Sequence, residues 1–100
     1  MMMTLLTARV LRALLDDPAA PRYGLDLMRE LGIPSGTIFP LLARLEANGL
    51  ARSELEQIDP HEQERPARRY YTLTGYGETT ARAELAALAA QLTPPPGAAA

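Results

Sequence analysis

The segment 31–50 most constrains the fold of this chain, because it encodes a turn, a helix and a defined helix end. Residues 32–34, Gly-Ile-Pro, indicate the turn, and Ser35 is predicted to cap the helix by accepting a hydrogen bond from a free backbone amide. The pair Asn48-Gly49 supplies the left-handed residue with which many helices end. Four apolar residues between them recur at helical spacing and predict a core-facing side: Ile38, Leu41, Leu42 and Leu45.

The opposite side of this helix is small and nearly uncharged, with Gly36, Pro40, Ala43 and Ala47 along it. A helix that faces solvent usually carries many charges, so this side predicts close approach to another molecule. Pro40 removes one backbone hydrogen bond and crowds the carbonyl of Gly36, where the missing side chain leaves room for adjustment. An ordinary amphipathic helix with small outer residues is the alternative interpretation.

The composition sets limits on the class of protein. One hundred residues suit one small domain with a single modest core. All ten basic residues are arginines, but the net charge is −2 and the pI is about 5.3, so the positions of the arginines must decide whether the chain binds nucleic acid. The absence of cysteine excludes disulfides and thiolate metal sites. With no apolar run of membrane-spanning length and no signal peptide, a cytoplasmic protein is expected.

Two helices are predicted before the central segment. The first, residues 4–17, carries an apolar stripe wider than one core requires, which predicts packing both within its own domain and against a partner subunit. The line assigned to the partner consists of Leu6, Val10 and Leu14. The second helix, residues 23–31, forms a helix-turn-helix with the helix of the central segment.

The periodicity changes after Gly49. Residues 50–58 and 67–73 are predicted to be strands, and the second is rich in β-forming residues. The polar segment 59–66 between them suits the flexible tip of a hairpin. Three helices followed by a β-hairpin predict a mainly α fold with a small β-hairpin, a winged helix-turn-helix DNA-binding domain over residues 4–73.

A last helix is predicted over residues 74–92, with Thr74 as its N-cap. Residues at three- and four-residue steps predict a seam for one partner helix, and they are assigned to dimerisation: Ala81, Leu85, Leu88 and Leu92. This seam is too short to hold a coiled coil alone, so it is expected to act together with the wide apolar side of the first helix. Residues 93–100, rich in proline and alanine, are predicted to form a disordered tail.

Two stretches of the chain resemble the PadR family of winged-helix transcriptional regulators. The segment 35–50, Ser-Gly-Thr-Ile-Phe-Pro-Leu-Leu-Ala-Arg-Leu-Glu-Ala-Asn-Gly-Leu, is similar to the recognition helix of that family. The segment 69–74, Arg-Tyr-Tyr-Thr-Leu-Thr, with Gly77 is similar to the second strand of the wing and the entry to the last helix. Tyr23-Gly24 also fits, and the resemblance covers residues 4–90.

The resemblance implies a homodimeric transcriptional regulator that binds operator DNA, with the third helix in the major groove and the wing beside the flanking backbone. Thr37 and Pro40 match positions on the DNA-facing side of that helix. Phe39 departs from the tyrosine usual in the family, which removes the phosphate hydrogen bond that a hydroxyl would offer. Some relatives bind small-molecule effectors at the dimer interface, but the short last helix and the lack of tryptophan give no support for such a pocket, and no cofactor is predicted.

Arginines of the wing and of the third helix are the remaining candidates for DNA contact. Arg65 and Arg68 are favoured, because strand alternation places Arg68 and Arg69 on opposite faces. Five acids share the same hairpin, so a solvated hairpin with internal ion pairs is the alternative. Arg44 is expected either to reach a guanine or a phosphate, or to pair with a neighbouring acid. The predicted DNA-binding residues are therefore Tyr23, Ser35, Gly36, Thr37, Phe39, Pro40, Arg44, Arg65 and Arg68.

Catalysis and metal binding have little support in the sequence. His61 with the acids around it resembles an oxygen-and-imidazole metal site, but a charged loop tip of this kind is more often simply exposed to solvent. No nucleophile has a candidate base beside it, so no metal site, no catalytic residue and no enzymatic activity are predicted.

Two functions follow from these patterns. The leading hypothesis is a cytoplasmic, dimeric, sequence-specific regulator, most simply a repressor that binds a palindromic operator with half-sites about one helical turn apart. The alternative is a winged-helix protein–protein interaction module that does not bind DNA, which the acidic balance and the departure at Phe39 favour.

Overall fold

Five helices and three strands form within the part of the chain that the computed structural model describes, residues 2–94 and residue 97. In chain order they are α1 (Leu5–Leu15), β1 (Arg22–Tyr23), α2 (Gly24–Leu31), α3 (Ser35–Ala47), β2 (Ala51–Leu55), α4 (Pro60–Gln63), β3 (Arg69–Leu73) and α5 (Gly75–Leu92). The arrangement is mainly helical with one small antiparallel sheet, as the sequence predicts. The predicted disordered tail, residues 93–100, falls mostly outside the described residues.

The sheet has the strand order β1-β3-β2, with both pairs antiparallel. In the hairpin, Ser53 pairs with Tyr71 and Leu55 pairs with Arg69, so these four side chains share one face of the sheet. Tyr71 is buried on this face, whereas Leu55 and Arg69, toward the tip, are exposed. Glu54 pairs with Tyr70 on the outward face. The third strand, β1, is a correction to the predicted two-stranded wing, and with two residues it is too short to leave a periodic signal.

The core lies between α1, α2, α3 and the inner face of the sheet. The four apolar residues predicted for the inner side of α3 are all buried, which confirms the helical spacing: Ile38, Leu41, Leu42 and Leu45. The sheet contributes Tyr71 and Leu73, and α5 contributes Ala81. Burial on this scale is the main favourable contribution to folding in a domain of this size.

The first helix is shorter than predicted, and a threonine side chain caps its N-terminus. It spans Leu5–Leu15 rather than residues 4–17, and the Thr4 hydroxyl accepts a hydrogen bond from the Thr7 amide at 3.1 Å. Its apolar stripe is wide because α2, β3 and α5 all pack against it. Val10 and Leu14 are therefore only 0% and 2% exposed. This corrects the predicted dimerisation line, since neither side chain has surface left for a partner.

The start of α3 differs from the sequence prediction by one residue. Pro34 is the N-cap, and its carbonyl accepts hydrogen bonds from the Thr37 and Ile38 amides, both at 2.9 Å. Ser35 is already helical and makes no capping hydrogen bond, so the prediction of Ser35 as N-cap is wrong. The end of the helix is as predicted, because Gly49 has φ +76° and the Leu50 amide returns to the Leu45 carbonyl at 2.9 Å.

The loop between the two wing strands contains a short helix where a flexible tip was predicted. Asp59 caps α4 by accepting from the His61 amide at 2.9 Å, and Pro60 occupies the first helical position, where its missing N–H costs nothing. Glu64 then takes a left-handed conformation, φ 53°, and ends the turn. The strands are accordingly shorter than predicted, Ala51–Leu55 and Arg69–Leu73.

The last helix is anchored at the point where α3 ends. Thr74 is its N-cap, as predicted: the hydroxyl accepts from the Gly77 amide at 2.9 Å and donates to the Gly49 carbonyl at 2.6 Å. The Thr74 amide donates to the Leu50 carbonyl at 3.0 Å. A Cβ atom at Gly77 would lie 1.7 Å from that Leu50 oxygen, so only glycine permits this close approach. These contacts fix the direction in which α5 leaves the domain.

Candidate nucleic-acid interface

The outer side of α3 is an open surface of small side chains. The residues predicted to face DNA along it are exposed: Ser35, Gly36, Thr37, Pro40 and Arg44. No acid of the described chain lies within salt-bridge distance of Arg44, so of the two outcomes expected for this residue the structure leaves its guanidinium available. At the other end, where α3 begins at Ser35, free backbone amides favour a negatively charged group. A phosphate or base edge could therefore approach the backbone closely here.

Phe39 lies at the side of this surface rather than on it. Its ring is half-buried and packs against the start of α2, where a Cβ at Gly24 would come within 2.6 Å of the ring. Together with Leu25 and Ala67, the ring also lines a cleft beside the loop that joins the two wing strands. Phe39 therefore supports the geometry between α2, α3 and the wing, and its contact with DNA stays a prediction. A tyrosine hydroxyl is not needed for this packing.

The three arginines of the wing have different surroundings. Arg65 forms a salt bridge with Glu56 through two hydrogen bonds, at 2.6 Å and 3.1 Å, which is the internal ion pair expected as the alternative to DNA contact. Arg69 donates to the Ser53 hydroxyl at 2.9 Å on the inner face. Arg68 is exposed, and its side chain has no salt-bridge or hydrogen-bond partner among the residues described. Arg68 precedes β3, so its alternation with Arg69 stays a prediction.

Glu56 accepts hydrogen bonds from several residues around the wing. Besides Arg65, it accepts hydrogen bonds from the Arg68 amide at 2.9 Å and from the Tyr23 hydroxyl at 3.3 Å. The hydrogen bond from Arg65, followed by that from the Arg68 amide, lowers the pKa of Glu56 from 4.5 to about 2. The same pairing raises the pKa of Arg65. Glu56 is therefore ionised at any physiological pH; the sequence marked it only as one of five hairpin acids and did not single it out as the partner of Arg65.

Tyr23 is also held within the protein. Its hydroxyl donates to Glu56, and its ring stands edge-on to Tyr70 with the centroids 6.1 Å apart. Tyr70 in turn donates to the Glu54 carboxylate at 2.7 Å, which raises the pKa of Tyr70. Tyr23 thus joins α2 to the wing, and its predicted DNA contact stays a prediction. Strand alternation could have predicted these contacts, because it places residues 54, 56, 68 and 70 on the same face of the hairpin.

The residues predicted for dimerisation on α5 change from buried to exposed along the helix. Ala81 is fully buried, and Leu85 is half-buried and packs against the core. Leu88 is half-buried and lines a shallow groove with Met3, whereas Leu92 is 76% exposed. Other large apolar side chains are exposed near the start of α1: Met2, Leu5 and Leu6.

Two further expectations concern metals and membranes. Within residues 2–94 and residue 97, no three His, Asp or Glu side chains are grouped so as to hold a metal ion. His61 lies exposed on the wing loop. Among the described helices, none has both the length and the apolar character needed to cross a lipid bilayer.

A helix-turn-helix whose second helix presents an open surface, followed by a β-hairpin, defines a winged-helix regulator. The model of the transcriptional regulator PadR-like family matches residues 10–83. The chain therefore belongs to the PadR family of transcriptional regulators. Because members of this family regulate transcription and are not enzymes, the prediction of a non-enzymatic protein is confirmed.

Solved structures agree with this assignment. A PadR-like transcription factor from Bacteroides fragilis is 30% identical, with a TM-score of 0.70, and the match covers 88% of this chain and 82% of that one. A PadR family transcriptional regulator from Eggerthella lenta is 27% identical, with a TM-score of 0.68 and coverages of 88% and 81%. These likenesses confirm the predicted fold class. A comparison with curated proteins gave no match.

A structure of reduced AbfR bound to DNA is also similar, with 27% identity and a TM-score of 0.70. The match covers 88% of this chain but 60% of the AbfR chain, so this protein spans a little over half of that relative. A crystal structure of AbfR of Staphylococcus epidermidis is similar as well, with 26% identity and a TM-score of 0.71.

Proposed function

We propose that this protein is a cytoplasmic, dimeric repressor that binds a palindromic operator, with α3 of each subunit in a major groove. The single observation that carries the proposal is the outer side of α3, which is exposed, nearly uncharged and ends in the unpaired Arg44. A major groove about 12 Å wide admits a helix, and small side chains let the helix backbone approach the base edges. The DNA-bound relative AbfR supports the same use of the fold.

The proposed contact set is smaller than the sequence suggested. On α3 it comprises Ser35, Gly36, Thr37, Pro40 and Arg44, and on the wing it comprises Arg68. Tyr23, Phe39 and Arg65 support the geometry of this set without facing DNA. Thr37 and Arg44 are the polar side chains that can read base edges, so sequence-dependent DNA shape must supply part of the specificity.

The small number of free arginines sets the expected salt dependence. Arg44 and Arg68 of each subunit would bring four positive charges per dimer to the duplex, whether Arg44 lies on a phosphate or on a base edge, so log K should fall with log salt with a slope of roughly −4. This slope is shallow for a regulator, which agrees with a chain of net charge −2.

The proposed dimer surface is revised by the burial pattern. Leu92 and the exposed apolar residues before and at the start of α1 replace Val10, Leu14 and Ala81, which lie in the core. Met3 and Leu88 line the same groove, so the segment before α1 runs beside the second half of α5. Exposed apolar side chains on both elements form the kind of patch that an obligate partner covers.

The test is a gel-shift titration on the promoter region next to the protein's own gene, repeated across a salt series. A shifted complex that survives excess random DNA, with a salt slope of roughly −4, is the expected result. Binding no stronger than to random DNA at low salt would contradict the proposal. The protein–protein interaction module is the alternative that such a result would favour, and charge reversal at Arg44 and Arg68 should then leave its partner binding intact.

A further inference from the structure

We propose that Glu56 determines the DNA specificity of this protein by holding Arg65 away from DNA and fixing the wing loop, defined here as residues 56–68. The inference rests on the proposed DNA-binding function and deepens it. Glu56 acts as a positioning residue: its contacts are to other side chains and to backbone, and its effect on DNA passes through Arg65 and Arg68.

The geometry around Glu56 uses both oxygens of its carboxylate. Oε1 accepts from Arg65 Nη1 at 2.6 Å and from the Arg68 amide at 2.9 Å. Oε2 accepts from Arg65 Nη2 at 3.1 Å and from the Tyr23 hydroxyl at 3.3 Å. The side chain is only 12% exposed, so this is an enclosed, two-pronged ion pair rather than a loose surface contact.

These hydrogen bonds join three separate parts of the chain. Tyr23 belongs to β1 and immediately precedes α2, Glu56 follows β2, and Arg65 and Arg68 lie on the return of the wing loop toward β3. The Glu56 amide also donates to the Arg68 carbonyl at 2.9 Å, so backbone and side chain bind the same residue. The wing loop is thereby closed against the helix-turn-helix, and the position of Arg68 beside α3 is fixed.

The ion pair also sets the charge that the wing can offer to a duplex. Arg65 has both of its terminal nitrogens directed at Glu56, and Nη1 is shared with the Pro66 carbonyl at 3.2 Å. A phosphate that paired with both terminal nitrogens would have to displace this carboxylate. One cation per subunit is therefore withheld from sequence-independent attraction to DNA, which leaves a larger share of the binding free energy to α3.

Glu56→Gln removes this restraint with little change in size. A glutamine carries one acceptor oxygen and an NH₂ group that faces the donors of Arg65, so the two-pronged pair cannot form. The matched control is Glu54→Gln, which removes the same charge from the same strand face two residues away. Glu54 accepts from the Tyr70 hydroxyl and pairs with no arginine of the described chain.

The experiment measures the binding of wild type and both variants to the operator and to a random duplex across a salt series. Glu56→Gln should steepen the salt slope by about 0.9 for each subunit, and it should bind random duplex several-fold more tightly at low salt, so that the specificity ratio falls. Glu54→Gln should show only the smaller, general effect of losing one negative charge. Identical slopes for the two variants, with wild type binding normally, would overturn the inference.

Two further measurements separate the role of Arg65 from simple loosening of the wing. The double variant Glu56→Gln/Arg65→Ala keeps the loosened loop but lacks the released cation, so its salt slope should return to that of wild type. A slope that stays steep would overturn the assignment to Arg65. Without DNA, the Arg68 amide should exchange hydrogen faster in Glu56→Gln than in Glu54→Gln, and equal rates would refute the restraint. Failure of wild type to bind any duplex would instead overturn the proposed function.

Discussion

Replacing Gly77 by alanine should destabilise the domain sharply, although alanine is the better helix former. The added Cβ would lie 1.7 Å from the Leu50 carbonyl oxygen and 2.6 Å from its carbon, and backbone atoms cannot turn aside as a side chain can. To make room, α5 must move away from the end of α3. That movement breaks the hydrogen bonds from Thr74 to the Leu50 and Gly49 carbonyls, which measure 3.0 Å and 2.6 Å.

The magnitude follows from three contributions. Overpacking against a fixed neighbour costs about 1–3 kcal/mol, and the two hydrogen bonds contribute about 1 kcal/mol each. The gain in helix propensity from glycine to alanine returns at most about 1 kcal/mol. The free energy of unfolding should therefore fall by roughly 2–4 kcal/mol, which in a domain of this size lowers Tm by on the order of 10–30 °C.

The matched control is Gly75→Ala, two residues earlier in the same helix. A Cβ at Gly75 meets no atom within 4 Å, so only the propensity term acts and the variant should be as stable as wild type or slightly more stable. Chemical and thermal unfolding of both variants, at one protein concentration, give the comparison. If Gly77→Ala proves as stable as Gly75→Ala, the close packing of α5 on the Leu50 carbonyl is refuted.

The remaining predictions concern DNA, dimerisation and acid. Arg44→Ala should weaken operator binding at least tenfold in a gel shift and make the salt slope about two units shallower per dimer, whereas Arg12→Ala on the far helix α1 should change neither; equal effects would remove Arg44 from the interface. Leu92→Glu should convert the dimer to a monomer in sedimentation. Leu55, another exposed leucine, lies on the wing, so Leu55→Glu should leave the dimer intact. If both variants sediment as dimers, the proposed surface is refuted. Because folding lowers the pKa of Glu56 from 4.5 to about 2, its stabilising effect should be complete above pH 4.5 and disappear as the pH falls toward 2. The difference in Tm between wild type and Glu56→Gln, followed from pH 7 to pH 2, should shrink only below pH 4.5. If this difference in Tm already shrinks between pH 7 and pH 5, the lowered pKa of Glu56 is contradicted.

Residues whose roles depend on local sequence could be placed from the sequence alone. The inner side of α3 has a clear helical spacing, and all four of its apolar residues are buried. Thr74 and Gly49 act through contacts with near neighbours or through their own backbone conformation, so their cap and stop signals were readable. The fold class followed from the order of these elements.

Residues whose roles depend on tertiary contacts could not be placed in this way. Hydrophobic spacing shows that one side of α1 is apolar, but it does not show whether the same subunit or a partner covers Val10 and Leu14. Arg65 counts as a cation in any sequence-based inventory, but the ion pair with Glu56 depends on the hairpin register and on the turn of α4. The role of Glu56 emerges only when the strands are paired.

The start of α3 shows a third kind of limit. Serine is a common N-cap, but here the carbonyl of Pro34 accepts the first helical hydrogen bonds, so Ser35 lies one residue too far along to act as a cap. Boundaries of this kind shift by a residue without any change in the overall pattern. The shift leaves the Ser35 hydroxyl exposed at the end of α3 that is proposed to meet DNA.

The central claim is that two copies of α3 read a palindromic operator, and selection of bound duplexes from a random pool tests it most directly. The proposal predicts enrichment of two inverted half-sites whose centres lie about 10–10.5 bp apart, or a multiple of that distance. A pool that remains random after repeated selection with folded protein would contradict DNA reading by α3. Enrichment of an unpaired single half-site would contradict the dimer.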